Sequence, residues 1–140
     1  MADVRPASTA AMAVASSALK AQQARMRVIA ENIANANSTS ATKGGDPYRR
    51  KVPVFEPDKL GKDINGVRFK GANPDQSDFK TEYEPGHPSA DDKGYVKMPN
   101  VDTLIEALDM REAQRAYEAN LNVIETARAI QTRTLEILKR

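Results

Sequence analysis

From Val101 to Arg140 the chain runs without a proline or a glycine. Within this stretch Ala113, Ala116, Asn120, Val123, Ala127, Ile130, Thr134 and Ile137 follow one another in alternating steps of three and four, the spacing of a heptad seam. A second row, Tyr117, Leu121, Ile124, Leu135 and Leu138, runs beside it and is interrupted by Arg128 and Gln131. The pattern predicts one helix of roughly 55 Å at 1.5 Å per residue, too long for the interior of a small domain. Two neighbouring seams predict more than one helical partner. Asp102 or Thr103 is placed to cap its start, and Thr103 with Glu106 has capping-box spacing. No C-cap residue follows, so the helix is expected to continue to the end of the sequence.

The other end of the chain carries a matching pattern. After a leader at Met1 to Ala7, expected to be disordered, Ser8 or Thr9 can cap a helix reaching about Ala34. Met12, Leu19, Met26 and Ile33 fall on a strict heptad, with Ala15, Gln22, Ile29 and Ala36 in the companion positions. A seam this rich in alanine and glutamine is weak alone and needs partner helices. The two terminal helices are therefore expected to pair as a coiled coil. The N-terminal helix ends in Asn32-Ile33-Ala34-Asn35-Ala36-Asn37-Ser38-Thr39-Ser40. Asparagine tolerates the left-handed conformation and competes for backbone hydrogen bonds, so Asn32, Asn35 and Asn37 predict a helix exit, ordinarily a C-cap and loop.

Between the helices, glycine, proline and all three phenylalanines are concentrated from Lys43 to Asn100. Tyr48–Phe55 reads as a strand, confined to an edge by Pro53. Ile64-Asn65-Gly66-Val67 predicts a hairpin turn into a strand at Val67–Lys70, followed by a polar loop at Asn73–Asp78. Phe79–Glu84 and Tyr95–Met98 read as two more strands, with turns at Pro85-Gly86 and Asp91–Gly94. The fold class expected is mainly α with a small β-rich insert, an α+β chain. Its parts are 1–40 (leader, helix and asparagine-rich exit), 41–100 (β-rich module) and 101–140 (C-terminal helix), with 8–36 and 101–140 forming a coiled-coil core.

Composition removes several function classes. The net charge is +2 with acidic and basic residues interleaved, which gives no nucleic-acid footprint. Cysteine is absent, which excludes disulfides and thiolate metal sites. The longest apolar run, Ala10–Ala15, is shorter than the ~7–15 residues of a signal-peptide core and far from the ~20 of a membrane span. No membrane insertion and no cleaved signal are expected. His87, the single histidine, lies in Gly86-His87-Pro88 near Glu82, Glu84, Asp91 and Asp92. One imidazole with loosely spaced carboxylates falls short of a zinc site, and no nucleophile motif accompanies it. Asp91 and Asp92 read as turn residues, and Arg49-Arg50-Lys51 as a solvated strand face. No catalytic, cofactor-binding or metal residue is expected, and an enzyme built on His87 is the less favoured reading.

The C-terminal helix offers a different specificity. Glu112 to Asn120 mixes small residues with groups able to bond across a helix interface, and Asn120 lies on the seam itself, where a polar residue fixes register. Glu112 with Arg115, Glu125 with Arg128 and Glu136 with Lys139 have the spacing to pair along the helix.

These residues carry a resemblance. NIANANSTS at Asn32–Ser40 resembles the motif that follows the N-terminal helix in the axial proteins of the bacterial flagellum, and EAQRAYEAN at Glu112–Asn120 resembles their C-terminal helix motif. GGDPYRRKVPVFE at Gly44–Glu56 and YEPGHPSADDKGYVKMPNV at Tyr83–Val101 are similar to the proximal-rod members of that family. The four motifs keep their order and span nearly the whole chain. The resemblance implies a structural subunit that is exported through the flagellar type III apparatus without signal cleavage and polymerises helically in the periplasm. It implies torque transmission from rotor to hook and a lumen that conducts later subunits. Partners implied are other copies, other rod subunits, the rod-to-rotor-ring adaptor and the export apparatus. Asn32, Asn35 and Asn37 would shape the exit from the inner helix, and Arg115, Tyr117, Glu118 and Asn120 would lie at helix contacts. With them the assembly residues expected are Met12, Leu19, Met26, Ile33, Val123, Ile130 and Ile137. A soluble coiled-coil adaptor or chaperone of the export system is the alternative.

Overall fold

The computed structural model describes residues 6–139, so most of the expected leader, Met1–Arg5, lies outside the described residues. Two long helices enclose four strands in the order α1 (Ala7–Ala34), β1 (Lys51–Gly61), β2 (Ile64–Pro74), β3 (Lys80–Tyr83), β4 (Tyr95–Met98) and α2 (Thr103–Leu138). This is the mainly helical α+β architecture that the two periodic ends predict. Among the described residues no helix is long and apolar enough to cross a membrane.

Local chemistry explains most of the boundaries and corrects some. The first acceptor of α1 is the Pro6 carbonyl, which takes the amides of Thr9 and Ala10 at 2.8 and 3.2 Å. The Ser8 and Thr9 hydroxyls are therefore not its caps. They accept hydrogen bonds from Gln131 Nε2 at 3.1 and 3.2 Å instead. At the start of α2, Asp102 is the cap: its Oδ1 accepts the amides of Leu104 and Ile105 at 3.0 and 3.4 Å. The Thr103–Glu106 capping box does not form, because the Glu106 carboxylate is turned into the interior.

The hairpin departs furthest from expectation. Its strands are eleven residues each and join through Lys62-Asp63, so they run antiparallel, and Ile64–Val67 belongs to β2 rather than to a turn. Gly66 serves another purpose. A Cβ there would lie 2.5 Å from Ser17 Oγ and 2.6 Å from Leu60 Cδ1, so the glycine permits close approach of the strand to α1. Ser17 Oγ donates to the Val14 carbonyl at 2.7 Å and accepts the Val67 amide at 3.2 Å, fixing that approach. Phe55 and Phe69 meet edge to face, with centroids 5.9 Å apart. Pro53 and Pro57 both sit in β1, in a sheet of only two strands.

The second sheet pairs β3 and β4 antiparallel, from Lys80↔Met98 to Tyr83↔Tyr95. Both predicted turns are present. His87 N–H donates to Glu84 O at 3.0 Å, and Asp91 Oδ1 accepts the amides of Lys93 and Tyr95 at 2.8 and 2.9 Å. Gly94 has φ +84°, a conformation that favours glycine.

The chain forms two compact units. One comprises the chain up to Arg25, Val54–Gly71 and Glu112 onward; the other comprises Met26–Pro53 and Ala72–Arg111. In the first, Ser8 and Thr9 bond to Gln131 while Arg25 pairs with Glu112 at 3.4 Å, so its helical segments run antiparallel. Glu112 thus reaches α1 rather than Arg115. The buried apolar residues here are Ala15, Ala21 and Ala24 on α1 and Ala113 and Ala127 on α2. Alanine rows let helix backbones come close. In the second unit Val28, Ile29, Ala36, Ala90, Val96, Pro99 and Val101 make a small apolar core around a polar centre.

Candidate assembly site: a buried polar cluster and an open helix face

The polar centre of the second unit is built from segments far apart in sequence. Glu106, one turn into α2, has no exposed surface, and Asn32, in the last turns of α1, is 1% exposed. Asn32 Nδ2 donates to Glu106 Oε2 at 3.1 Å and to the Lys51 carbonyl at 2.9 Å. Its Oδ1 accepts the Tyr48 hydroxyl and the Lys51 amide, both at 2.9 Å. A primary amide has two donors and room for two acceptor bonds, so every hydrogen-bonding position of Asn32 is occupied. The same side chain joins the exit of α1, the base of β1 and the first turns of α2.

Arg50 supplies the countercharge. Its Nε donates to Glu106 Oε1 at 2.5 Å, and its terminal nitrogens lie 3.3 Å from Asp75 Oδ2 and 3.9 Å from Asp109 Oδ2. Its amide donates to Asn100 Oδ1 at 2.8 Å, and Asn100 Nδ2 donates onward to Ser77 Oγ at 2.9 Å. Arg49 caps the carbonyls of Asp75 and Ser77 at 2.8 and 3.0 Å and stacks 4.1 Å over Phe79. The basic triplet is therefore the organising element of this unit, not a solvated strand face. A buried carboxylate requires such pairing, since an isolated charge would be strongly disfavoured by desolvation.

The cluster shifts its own ionisation. Burial opposes the Arg50 charge, but bonding to Glu106 and Asp75 outweighs it and holds the guanidinium above its ordinary value. Burial, then the Glu31 and Glu106 carboxylates, push the Tyr48 phenol up to about 12. The Ser77 amide, with a smaller contribution from Arg50, holds Asp75 below the usual carboxylate range.

The rest of the asparagine-rich exit uses side-chain bonds. Asn35 Nδ2 donates to Glu31 O at 2.9 Å and its Oδ1 accepts the Ser38 hydroxyl at 3.1 Å. No non-glycine residue described has positive φ, so the exit does not use the left-handed conformation. Asn37 is exposed.

In the first unit the α2 face that meets α1 lies on the 113, 120, 127 row. Ala113 and Ala127 are buried, and Asn120 is half-buried with its amide donating to Ala116 O at 2.7 Å. That bond runs along its own helix, the back-bonding open to a polar residue in a helix interior. The neighbouring row stays open: Val123, Ile130 and Ile137 are 44, 54 and 74% exposed. A shallow apolar groove lies between Ala7 and Ala11 on α1 and Val123, Ala127 and Ile130 on α2. Arg115 and Glu118 are exposed and Tyr117 is half-buried. On α1, Met12, Leu19 and Met26 are half-buried and Ile33 is exposed, while the companions Ala15, Ile29 and Ala36 are buried.

Sequence reasoning missed Arg50 and Glu106. One signal was available: Glu106 stands seven residues before Ala113, on the same row. His87, by contrast, is taken up locally. Its Nδ1 accepts the Ser89 amide at 3.1 Å, while the Ser89 hydroxyl donates to the Ser40 carbonyl. Among the described residues no group of three or more His, Cys, Asp or Glu is placed to hold a metal.

Two long helices carry buried alanine rows, α2 also carries an open apolar row, and a β-rich insert lies between them in the chain. The profile of the family described as "Flagella basal body rod protein" matches residues 12–41, and that described as "Flagellar basal body rod FlgEFG protein C-terminal" matches residues 92–137. Both ends thus match flagellar rod proteins. Curated proteins named "Flagellar basal-body rod protein FlgC" are similar over nearly the whole chain. That of Agrobacterium fabrum is 49% identical, covering 94% of this chain and 95% of its own length. That of Salmonella typhimurium is 42% identical over 89% and 92%, and that of Aquifex aeolicus 35% identical over 92% and 96%. The chain belongs to the FlgC family of flagellar basal-body rod proteins.

Proposed function

We propose that the chain is a structural subunit of the proximal rod of the flagellar basal body. Near-full-length similarity to proteins named for the rod carries this reading. The open Val123, Ile130, Ile137 row is its physical counterpart, because a helix that exposes a heptad row is stable in water only at a cost that a further helix removes. In this reading 8–36 and 101–140 pack into the wall of a helical tube that transmits torque and lines the export channel, and the 41–100 module faces outward. Met12, Leu19, Met26 and Ile33 on α1, with Arg115, Tyr117, Glu118, Asn120, Val123, Ile130 and Ile137 on α2, make the contacts between copies and with other rod subunits and the rotor-ring adaptor. Asn32, Asn35 and Asn37 set the turn out of the inner helix. The protein reaches the periplasm through the type III apparatus with its N-terminus uncleaved, and it performs no catalysis.

Quantitative mass spectrometry of detergent-extracted hook–basal bodies tests this. Presence at a few fixed copies per particle, with no more than the initiator methionine removed, is the expected result. Absence from particles, with abundant protein in the soluble cytoplasm, would replace the rod subunit by an adaptor or chaperone of the export system.

A further inference from the structure

We infer that Glu106, Arg50 and Asn32 form a register lock: a device that selects one alignment of the start of α2 against the exit of α1, and does so without adding net stability. The buried α2 row offers little to choose between alignments. After Glu106 its buried members are Ala113 and Ala127, with the half-buried Asn120 between them, and alanine fits an alanine-lined partner equally well one heptad away. Glu106 is the one residue of this row with two acceptor oxygens placed for two donors, Arg50 Nε and Asn32 Nδ2. A slip of one heptad brings Ala113 to that place and leaves Arg50 Nε and the buried Asn32 Nδ2 proton without that acceptor. A slip of four residues brings Met110, with the same result, or Asp102, whose carboxylate caps the helix.

The lock also makes the alignment conditional on the strand. Arg50 lies at the base of β1, where its amide is held by Asn100 and its guanidinium by Asp75, and Asn32 Oδ1 is filled by Tyr48 and Lys51. Helix start, helix exit and strand base therefore close together or not at all. Buried ion pairs contribute specificity in this way when a hydrophobic replacement would be as stable or more so.

The test compares Glu106→Ala, Arg50→Ala and the double variant Arg50→Met/Glu106→Leu in the full chain. Thermal unfolding is followed by near-ultraviolet tyrosine dichroism, and backbone amide spectra are recorded over residues 28–36 and 100–109. Arg50→Ala should lower the midpoint by about 10 °C or more, because it leaves the fully buried Glu106 without its countercharge, and Glu106→Ala by less, because the half-buried Arg50 keeps Asp75. The double variant leaves only the Asn32 Nδ2 proton without its Glu106 acceptor, so it should melt clearly above the worse single variant, yet show more than one set of amide resonances in both segments. A double variant that melts as low as the worse single variant, or does not fold, would make the pair a stability element and overturn the lock. A double variant that melts clearly above the worse single variant with one set of resonances would place register selection elsewhere and overturn it equally. If neither single variant folds, the double variant decides alone.

Discussion

Replacing Asn32 by aspartate changes one atom group and almost no volume, yet the geometry of its bonds makes it a severe substitution. Oδ1 would keep the Tyr48 hydroxyl and the Lys51 amide. The second oxygen would face Glu106 Oε2 and the Lys51 carbonyl, the positions now taking donated protons at 3.1 and 2.9 Å. Two lost bonds to buried groups, each costing about 1–3 kcal/mol, combine with a new carboxylate–carboxylate contact inside the unit. A loss of about 4–6 kcal/mol follows, or roughly 10–20 °C in the midpoint of a chain this size. Asn32→Ala, which removes all four bonds but introduces no charge, should cost less, about 2–4 kcal/mol, because the half-buried Tyr48 and Lys51 can regain water. The aspartate is raised by burial and by Glu106, so its penalty is full at neutral pH and relieved as pH falls through its raised pKa. Urea unfolding of both variants at pH 7 and pH 5 measures this. An aspartate variant within about 1 kcal/mol of the parent at pH 7, or milder than the alanine variant, would refute the assigned direction of these four bonds.

Two further outcomes follow from the same structure. Gly66→Ala should destabilise by about 1–3 kcal/mol through the clash with Ser17 and Leu60, and Ser17→Gly should recover part of that in the double variant; chemical denaturation of the pair reads the coupling. Tyr48 favours its neutral form in the folded state, so its contribution is intact below the ordinary tyrosine range and is lost as pH rises through about 12. Ultraviolet titration should show a late-ionising tyrosine, and Tyr48→Phe should abolish that late step.

How far the sequence discloses the fold depends on the range of the interactions that decide it. Both helices and β4 were legible because their determinants lie within a few residues: heptad spacing, the Asp102 cap and the Asp91–Gly94 turn. The length of the β1–β2 hairpin was not, since Glu56, Asp58, Lys59 and Arg68 interrupt any apolar alternation and the turn is a plain Lys62-Asp63. Gly66 was misread as a turn residue because close approach to a helix leaves no local signature. The polar cluster was least legible, because Asn32 and Glu106 are 74 residues apart and Glu106 has the local spacing of a capping box. Asn120 lies on the seam as its spacing indicates, but the direction of its amide bond is a rotamer choice that spacing does not encode.

The two prolines of β1 restrict how copies of this chain can join. Backbone N–H groups alternate sides along a strand, so Pro53 and Pro57, four residues apart, remove donors from the same edge. Proline is accommodated on the side that is not hydrogen-bonded to β2, so the missing donors belong to the outward edge. That edge is a poor template for an incoming strand. On this edge, crowded copies are steered away from the strand-by-strand stacking that builds amyloid-like fibres.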